Sequence, residues 1–389
     1  MKDIFLESGF MSLNKQGEEL CGDRVMTIND EDYVTIVLSD GLGSGVKANI
    51  LSTLTAKILV TMMSAGMPIE DCVYTIAHTL PVCKVRGVAY STFTILQVNK
   101  SGEAYLVQFD NPQCILLRNG KNFDYAVTEK TICEKKIFES KFPVQTGDIF
   151  LLMSDGAIHA GVGMLLNFGW ERENIIEFAE GVYAPDIGAK TIAARVAEAC
   201  NDLYAGCPGD DTTIAAMKVR RHEVVNLMIG PPSHKEDDEN ILRLFFGKEG
   251  KKIVCGGTTS QLVARYLGKD VIPDLDYIDE DVPPIAHIAG VDLVTEGVLT
   301  IGKAVDYAQS YCSVSDTDVQ WKDKKDGASL ICKLLLEDAT DVNFFVGRAV
   351  NPSHQNPDLP ININIKMRLI EDLAACLKQL GKNVTVNFY

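Results

Sequence analysis

Short apolar runs separated by turn residues dominate the first 220 positions of the chain and predict strands. The continuous apolar runs Tyr33–Leu38 and Ile149–Met153 are typical of buried strands. The turn sequences Asn99-Lys100-Ser101-Gly102 and Asn119-Gly120 favour antiparallel hairpins between further apolar runs. This pattern predicts an α+β architecture in which one sheet packs on another.

Helical spacing interrupts the predicted strands at several points. One stripe of apolar residues recurs at helical spacing, at Val46, Ile50, Leu54, Ile58 and Val60 to Met63. The spacing predicts a helix over residues 46–64, with this stripe packed in the core. Further helices are predicted at residues 69–78, 171–180 and 186–204. We expect these helices to lie outside the sheets.

Predicted strands and helices alternate after about residue 220. Strands are expected at residues 224–229, 252–255, 342–346 and 384–388, and helices at 238–246, from 259 onwards, at 329–336 and at 366–380. Such alternation is typical of a small α/β domain with a largely parallel sheet. The sequence therefore predicts two domains, spanning residues 1–221 and 222–389.

Charge and cysteine usage narrow the classes of function. The 389 residues carry a formal net charge of −16, which argues against a general nucleic-acid binder because phosphate contacts need clustered lysine and arginine. No run of about 18 apolar residues is visible, so no membrane partner is expected. The eleven cysteines form no CxxC pair, which favours a reduced protein in the cytoplasm.

Acidic residues stand at the ends of four predicted strands. They are Asp23, Asp40, Asp155 and the pair Asp210-Asp211. Carboxylates that converge repel one another unless cations neutralise them, and their hard oxygen atoms select Mg²⁺, Mn²⁺ or Ca²⁺. A single Asp-Gly is also an ordinary turn signal. The prediction of a metal site therefore depends on all four positions meeting in space.

The order of these motifs resembles the SpoIIE-type branch of the PP2C (PPM) metal-dependent phosphatases over roughly residues 1–220. The motifs that carry the resemblance are Gly17–Asp23 (GEELCGD), Leu38–Gly45 (LSDGLGSG), Met153–Gly156 (MSDG) and Gly209–Thr213 (GDDTT). The resemblance implies an αββα sandwich and a bacterial serine/threonine protein phosphatase. Its implied partner is a phosphorylated regulatory protein, such as an anti-sigma-factor antagonist. A second copy of the chain, forming a homodimer, is the other candidate partner.

The resemblance also implies a set of metal ligands: Asp23, Asp40, Gly41, Asp155, Asp210 and Asp211. Asp40 would bridge two Mn²⁺ or Mg²⁺ ions, and the Gly41 carbonyl would contribute to one of them. Asp155 and Asp210 would ligate the other ion, and Asp23 would hold the first one directly or through water. Asp40 and Asp155 are the catalytic candidates because the water that attacks phosphorus in line would be held by the two ions, ~4 Å apart.

The chain departs from the family pattern in its proton donor. Many relatives have histidine after the first Asp-Gly, where this chain has Leu42. His159 is a candidate donor, but it is also a typical surface histidine. Because no arginine can be assigned to phosphate binding, the alternative is a catalytically weak signalling module that binds a phosphoprotein or a small ligand.

The second domain has its own candidate site. Residues 254–260 (VCGGTTS) form a predicted strand, a glycine turn and a helix start, and the free N–H groups of a helix start favour anions. A nucleotide or other phosphate ligand is one interpretation, and an ordinary capped strand–helix turn is the other.

Overall fold

The computed structural model of the protein describes residues 4–30, 32–80, 91–163, 165–274, 282–313, 321–322, 324–349 and 361–389. The chain divides into two compact units, Met1–Arg221 and His222–Tyr389.

The first unit contains eleven strands and five helices among its described residues. In chain order they are β1 (Ile4–Leu13), β2 (Asp23–Asn29), β3 (Tyr33–Asp40), α1 (Gly45–Ser64), α2 (Ile69–Thr79), β4 (Thr92–Asn99), β5 (Glu103–Phe109), β6 (Ile115–Arg118), β7 (Lys121–Asn122), β8 (Thr128–Ile132), β9 (Lys135–Pro143), β10 (Ile149–Met153), α3 (Asp155–Ile158), α4 (Arg172–Val182), α5 (Ala189–Leu203) and β11 (Thr212–Arg221).

These elements form four layers. One antiparallel sheet has the strand order β1-β11-β10-β6-β7, and the other has the order β2-β3-β4-β5-β9-β8. Apolar side chains from both sheets, such as Leu38, Leu96 and Phe150, form the core between them. Helices α4 and α5 pack on the outer face of the first sheet, and α1 and α2 on that of the second. The predicted αββα sandwich is confirmed.

Helix α1 forms where the sequence predicts it, but the predicted buried stripe was only partly right: Val60 and Met63 are buried, whereas the residues in the first half of the helix are not. Val46, Ile50 and Leu54 are exposed by 61%, 52% and 43%. The buried face instead carries mostly smaller side chains: Ala48, Ser52, Thr55, Ala56, Leu59, Val60 and Met63. Small side chains allow the helix backbone to approach β2 and β3 closely, and this requirement outweighs the burial of the larger apolar groups.

The length and mean hydropathy of α1 also meet the criterion for a membrane-spanning helix. This is the only such helix in the described part of the chain, and its most apolar window has a mean hydropathy of 1.2. Its inner face lies in the core with Val37 and Phe93 of the sheet. Core helices of globular proteins meet the same criterion, so α1 is weak evidence for a membrane span.

The second unit contains seven strands and five helices among its described residues. They are β12 (Val224–Ile229), α6 (Asp238–Gly247), β13 (Lys251–Cys255), α7 (Gly257–Leu267), β14 (Ile272–Pro273), β15 (Ala286–His287), β16 (Leu293–Thr295), α8 (Val298–Cys312), α9 (Gly327–Cys332), β17 (Asp341–Val346), α10 (Ile361–Gln379) and β18 (Asn383–Phe388). A 3₁₀ turn at Lys235–Asp237 precedes α6, and a π-helical turn at Lys333–Asp338 continues α9.

The sheet of the second unit has the order β14-β15-β16-β13-β12-β17-β18. All pairings from β16 to β18 are parallel, and only the short strands β14 and β15 pair in antiparallel fashion. Helices α6 and α7 pack on one face, while α8, α9 and α10 pack on the other. The predicted α/β unit with a largely parallel sheet is confirmed, and β16 and α8 are elements that the sequence pattern did not predict.

Candidate metal centre

Two neighbouring strands bring Asp23 and Asp40 face to face. Asp23 begins β2, Asp40 ends β3, and the antiparallel register pairs the two residues directly. Directly opposed residues in such a pair have Cβ atoms about 5 Å apart on the same face of the sheet. Asp155 begins α3, immediately after β10, and lies close enough to Asp40 for its charge to raise the pKa of that carboxyl group. Carboxylates at strand ends of both sheets therefore meet at one end of the sandwich.

Asp23 is nearly inaccessible to solvent, and only one of its two carboxylate oxygens has a hydrogen-bond partner. Its side chain is 4% exposed, and its Oδ2 accepts a hydrogen bond of 2.7 Å from the Ser154 hydroxyl. The same hydroxyl accepts a bond of 2.9 Å from the Thr213 amide. The Oδ1 atom of Asp23 is buried without a hydrogen-bond partner. A buried carboxylate oxygen without a donor is costly, and a cation is the group that would satisfy it.

Burial and mutual repulsion shift the pKa values of both opposed aspartates. Burial raises the pKa of Asp23 to about 7, against the lowering effect of the hydrogen bond from Ser154. Burial, followed by the charges of Asp23 and Asp155, raises the pKa of Asp40 well above its ordinary value. Without bound cations, this cluster therefore favours protonated carboxyl groups near neutral pH.

The Asp210-Asp211 pair approaches from the loop before β11. The Oδ1 of Asp211 accepts a hydrogen bond of 3.0 Å from the Lys15 amide, while its Oδ2 is buried without a partner. Asp211 is 4% exposed. Asp210 is partly exposed and lies 3.6 Å from the Lys15 ammonium. The charge of Asp210 also contributes to the raised pKa of Asp40, which places Asp210 in the same cluster.

Two positions next to this cluster have no space for a side chain and are occupied by glycine. A Cβ at Gly22 would lie 2.7 Å from Asp211 Oδ2. A Cβ at Gly41 would lie 2.2 Å from the Ala48 carbonyl oxygen and 2.7 Å from the Gly22 carbonyl oxygen. The Gly41 amide donates to that Gly22 carbonyl at 3.2 Å. Glycine is thus required at position 41 because the start of α1 packs directly against the end of β3.

The glycine of the second Ser-Asp-Gly motif is packed just as closely against the backbone. A Cβ at Gly156 would lie 2.2 Å from the carbonyl oxygen of Asp211. The carbonyl oxygen of Gly156 accepts a bond of 2.7 Å from the Tyr204 hydroxyl. The close contact holds α3, and Asp155 with it, against the start of β11.

The residues present fit a pair of hard divalent cations. In the described parts of the chain, no group of three or more histidine, cysteine, aspartate or glutamate side chains is arranged closely enough to hold a metal ion, so the fit rests on the chemistry of the carboxylates. Mg²⁺ usually binds through one or two carboxylates and keeps several waters. Opposed carboxylates with two orphaned buried oxygen atoms match that requirement, and no histidine or thiolate ligand is needed.

Sequence reasoning missed three residues that support the cluster. Ser154 links Asp23 to β11, Thr213 donates its amide to Ser154, and Lys15 contacts both members of the Asp210-Asp211 pair. The repeated serine in the two Ser-Asp-Gly motifs was the available signal for Ser154. His159, the candidate proton donor, is exposed at the end of α3. Burial raises the pKa of the nearby Cys21 thiol to about 12, so Cys21 is no thiolate nucleophile.

The raised pKa of Asp23 predicts a pH-dependent stability of the chelated protein. A carboxyl whose pKa is higher in the folded state stabilises the fold when it is protonated, and this contribution is lost as pH rises from about 4 to about 7. We expect the melting temperature of the chelated wild type to fall relative to that of Asp23→Asn over this interval. Differential scanning fluorimetry in chelator checks it, and parallel curves for the two proteins would contradict it.

The two sheets, the flanking helix pairs and the aspartates at the strand ends define a PP2C-type phosphatase domain. Residues 30–220 match the family model described as Stage II sporulation protein E (SpoIIE), and this segment of the chain belongs to that family. The family resemblance drawn from the motifs is confirmed. No curated protein sequence matches the chain.

Several solved structures are similar to the chain at low identity. The SpoIIE phosphatase domain of Bacillus subtilis with a fragment of its regulatory domain is 18% identical, with a TM-score of 0.49, and the match covers 57% of this chain and 64% of that one. A Mycobacterium tuberculosis protein with RsbU and RsbW domains is 16% identical, with a TM-score of 0.47, covering 63% and 70%. RsbX in complex with magnesium is 18% identical, with a TM-score of 0.40, covering 56% and 100%.

Proposed function

We propose that the first unit is a metal-dependent protein phosphatase that hydrolyses phosphoserine or phosphothreonine on a regulatory protein. One observation carries this proposal. Carboxylates at strand ends of both sheets gather at one end of the sandwich, and two of their buried oxygen atoms have no hydrogen-bond partner. Membership of the SpoIIE family supports the reaction class.

Two Mn²⁺ or Mg²⁺ ions, when bound, would supply Lewis-acid polarisation of the phosphoryl oxygens and a nucleophilic water of lowered pKa. The residues that would hold them are Asp23, Asp40, Gly41, Asp155, Asp210 and Asp211. Among these, Asp40 would be the central ligand, because Asp23 lies opposite it in the sheet and the charges of Asp23 and Asp155 both act on its carboxyl group.

The chain's own groups orient this cluster. The Ser154 hydroxyl donates to Asp23 and fixes which carboxylate oxygen remains available. The Lys15 ammonium, 38% exposed beside Asp210, brings positive charge to the edge where a phosphoryl group would arrive. Since Cys21 is held as a thiol, attack by a protein thiolate is disfavoured, and hydrolysis by water is the consistent route.

A protein substrate is favoured by the surface beyond Asp155. Leu165 and Phe168, ten and thirteen residues after Asp155, expose 66% and 84% of their surface, and Val162 exposes 48%. Large apolar side chains that a segment exposes to solvent are candidates for contact with another protein. A regulatory phosphoprotein, such as an anti-sigma-factor antagonist, fits this arrangement better than a small phosphate ester.

The proposal predicts that activity depends strictly on added divalent metal. We expect the full chain to hydrolyse p-nitrophenyl phosphate and a phosphoserine peptide in Mn²⁺ or Mg²⁺. Chelator should reduce the rate to the uncatalysed background, because the slow uncatalysed reaction leaves almost no residual turnover. Restoring the metal should restore the rate.

Full activity in chelator would end the proposal. Binding of a phosphopeptide without turnover in any metal would instead support the alternative of a signalling module with the phosphatase fold. Asp124→Asn is the matched control for the site variants, because Asp124 is exposed and its carboxylate contacts only Asn122 among the described hydrogen bonds.

A further inference from the structure

The strand order of the second unit creates a reversal in the direction of chain winding. The five parallel strands follow the order β16-β13-β12-β17-β18, which is third, second, first, fourth and fifth along the chain. The connections that follow β12 and β13 pass over the face covered by α6 and α7. Those that follow β16 and β17 pass over the opposite face. In open α/β sheets, ligands bind beyond the carboxyl ends of the strands where this reversal occurs, here between β12 and β17.

Glycines follow three of the strands at this edge, so no side chain covers the backbone at those positions. Gly230 follows β12 with φ +79°, Gly256 follows β13 with φ +103°, and Gly347 follows β17. A Cβ at Gly230 would lie 2.6 Å from the Lys366 Nζ atom. The Gly230 amide donates a bond of 2.9 Å to the hydroxyl of Thr259, in the first turn of α7. Gly230 therefore lies between a lysine ammonium and a helix start.

The start of α7 carries no side-chain cap. Gly256 occupies the capping position, and no side chain in the described part of the protein accepts a hydrogen bond from the first turn. The first amides of a helix have no acceptor within the helix, so they remain available to a ligand. The neighbouring helix α8 differs, because the Glu296 carboxylate accepts from the amides of Leu299 and Thr300 at 3.1 and 3.5 Å.

Lys366 supplies an independent observation at the same place. Its side chain is only 8% exposed, and its ammonium donates to the Gly347 carbonyl oxygen. Among the described residues, no carboxylate forms an ion pair with it. Burial lowers the pKa of Lys366. Buried charges in proteins are normally paired, so an anion is the group that would complete this site.

The turn after β12 limits what that anion can be. Pro231 and Pro232 follow Gly230 and have no N–H groups. This turn therefore lacks the run of amides with which a G-x-G-x-x-G turn wraps a pyrophosphate. The available donors are the amides of Gly257 and Thr258 and the ammonium of Lys366, which suit one phosphate group.

We propose that the second unit binds a single phosphate group of a small molecule at this edge, between the start of α7 and Lys366. The site would make residues 222–389 a sensor domain for a phosphate-bearing metabolite. The phosphate group could belong to a mononucleotide or be free inorganic phosphate, and both present the same chemistry to these donors.

Titration of the full chain with inorganic phosphate and with AMP, by isothermal calorimetry in chelator, tests the proposal. Chelator keeps the carboxylate cluster of the first unit from binding phosphate through metal, so the result does not depend on the phosphatase proposal. We expect saturable binding of at least one probe. Tighter binding of AMP would identify a nucleotide ligand, and equal binding of the two probes would identify the phosphate alone.

Two variants locate the binding. Gly257 is exposed, and a Cβ added there would have open space around it, so Gly257→Asp fits sterically and its carboxylate favours the helix start. We expect this variant to melt no lower than the wild type, yet to bind the probe at least about tenfold more weakly because of charge repulsion. Lys366→Met should show a similar loss of affinity.

Lys252→Met is the matched control. Lys252 is also a buried lysine that donates to carbonyl oxygens, those of Lys248 and Gly250, but it lies at the opposite end of β13. Its replacement should leave the affinity unchanged. Failure of both probes to bind, or wild-type affinity in Gly257→Asp, would overturn the proposal. Should Lys366→Met fail to fold, Gly257→Asp alone decides.

Discussion

Asp40→Asn is expected to lower metal-dependent phosphatase activity by about a thousandfold, the largest effect of any conservative substitution in the chain. Asparagine keeps the size of the side chain but removes the negative charge that would bridge two cations. Losing about 4 kcal/mol of electrostatic stabilisation corresponds to that factor. Steady-state rates with p-nitrophenyl phosphate over a range of Mn²⁺ concentrations measure it.

The same variant should affect stability in the opposite direction when chelator is present. Burial and the charges of Asp23 and Asp155 raise the pKa of Asp40, so folding at neutral pH must either protonate this carboxyl group or bury its charge, and asparagine avoids both costs. We expect chelated Asp40→Asn to melt above chelated wild type, and added Mn²⁺ to stabilise the variant less than the wild type. Asp124→Asn should match the wild type in all three measurements. Wild-type activity in Asp40→Asn would remove Asp40 from the site.

Gly41→Ala is expected to destabilise the first unit by about 3 kcal/mol, at the upper end of the usual cost of overpacking. The new methyl group would meet the backbone oxygen atoms of Ala48 and Gly22, which no rotamer change can move away. For a domain of this size the melting temperature should fall by roughly 6 to 12 °C. Metal affinity should fall as well, because α1 or the end of β3 must shift.

Gly181→Ala provides the contrasting control. Gly181 lies in α4, and a Cβ added there would have nothing within 4 Å. Alanine there should stabilise the helix by about 0.5 to 1 kcal/mol and leave activity unchanged. Equal stability of Gly41→Ala and the wild type would show that the packing between β3 and α1 is looser than the structure indicates.

The sequence predicted the layers of the first unit because its strands and helices have distinct apolar periods. It did not predict which residues are buried in the first half of α1. Apolar residues lie on two sides of this helix, and the packing against the neighbouring sheet determines which side is buried. It also missed β1, in which Glu7, Ser8 and Gly9 interrupt the apolar pattern. Gly9 is required there because a Cβ would lie 2.5 Å from the Lys190 backbone. That contact spans about 180 residues and leaves no local signal.

The candidate site was predictable only in outline. Acidic residues at strand ends are visible in the sequence, and their order carries the family resemblance. The contacts that orient them join residues 131 and 196 positions apart, from Ser154 to Asp23 and from Lys15 to Asp211. The first contact depends on how the two sheets stack and the second on the pairing of β1 with β11, and no short motif encodes either.

The pairing of β1 with β11 has a consequence for the order of events during synthesis. Ten residue pairs join Ile4–Leu13 to Thr212–Arg221, the first and last strands of the unit. The amino-terminal strand must therefore wait for its neighbour until the ribosome has translated past residue 221. Until then the nascent polypeptide lacks both the closing strand and the correctly placed Asp210 and Asp211, so hydrolytic capacity should emerge only after release of that last strand.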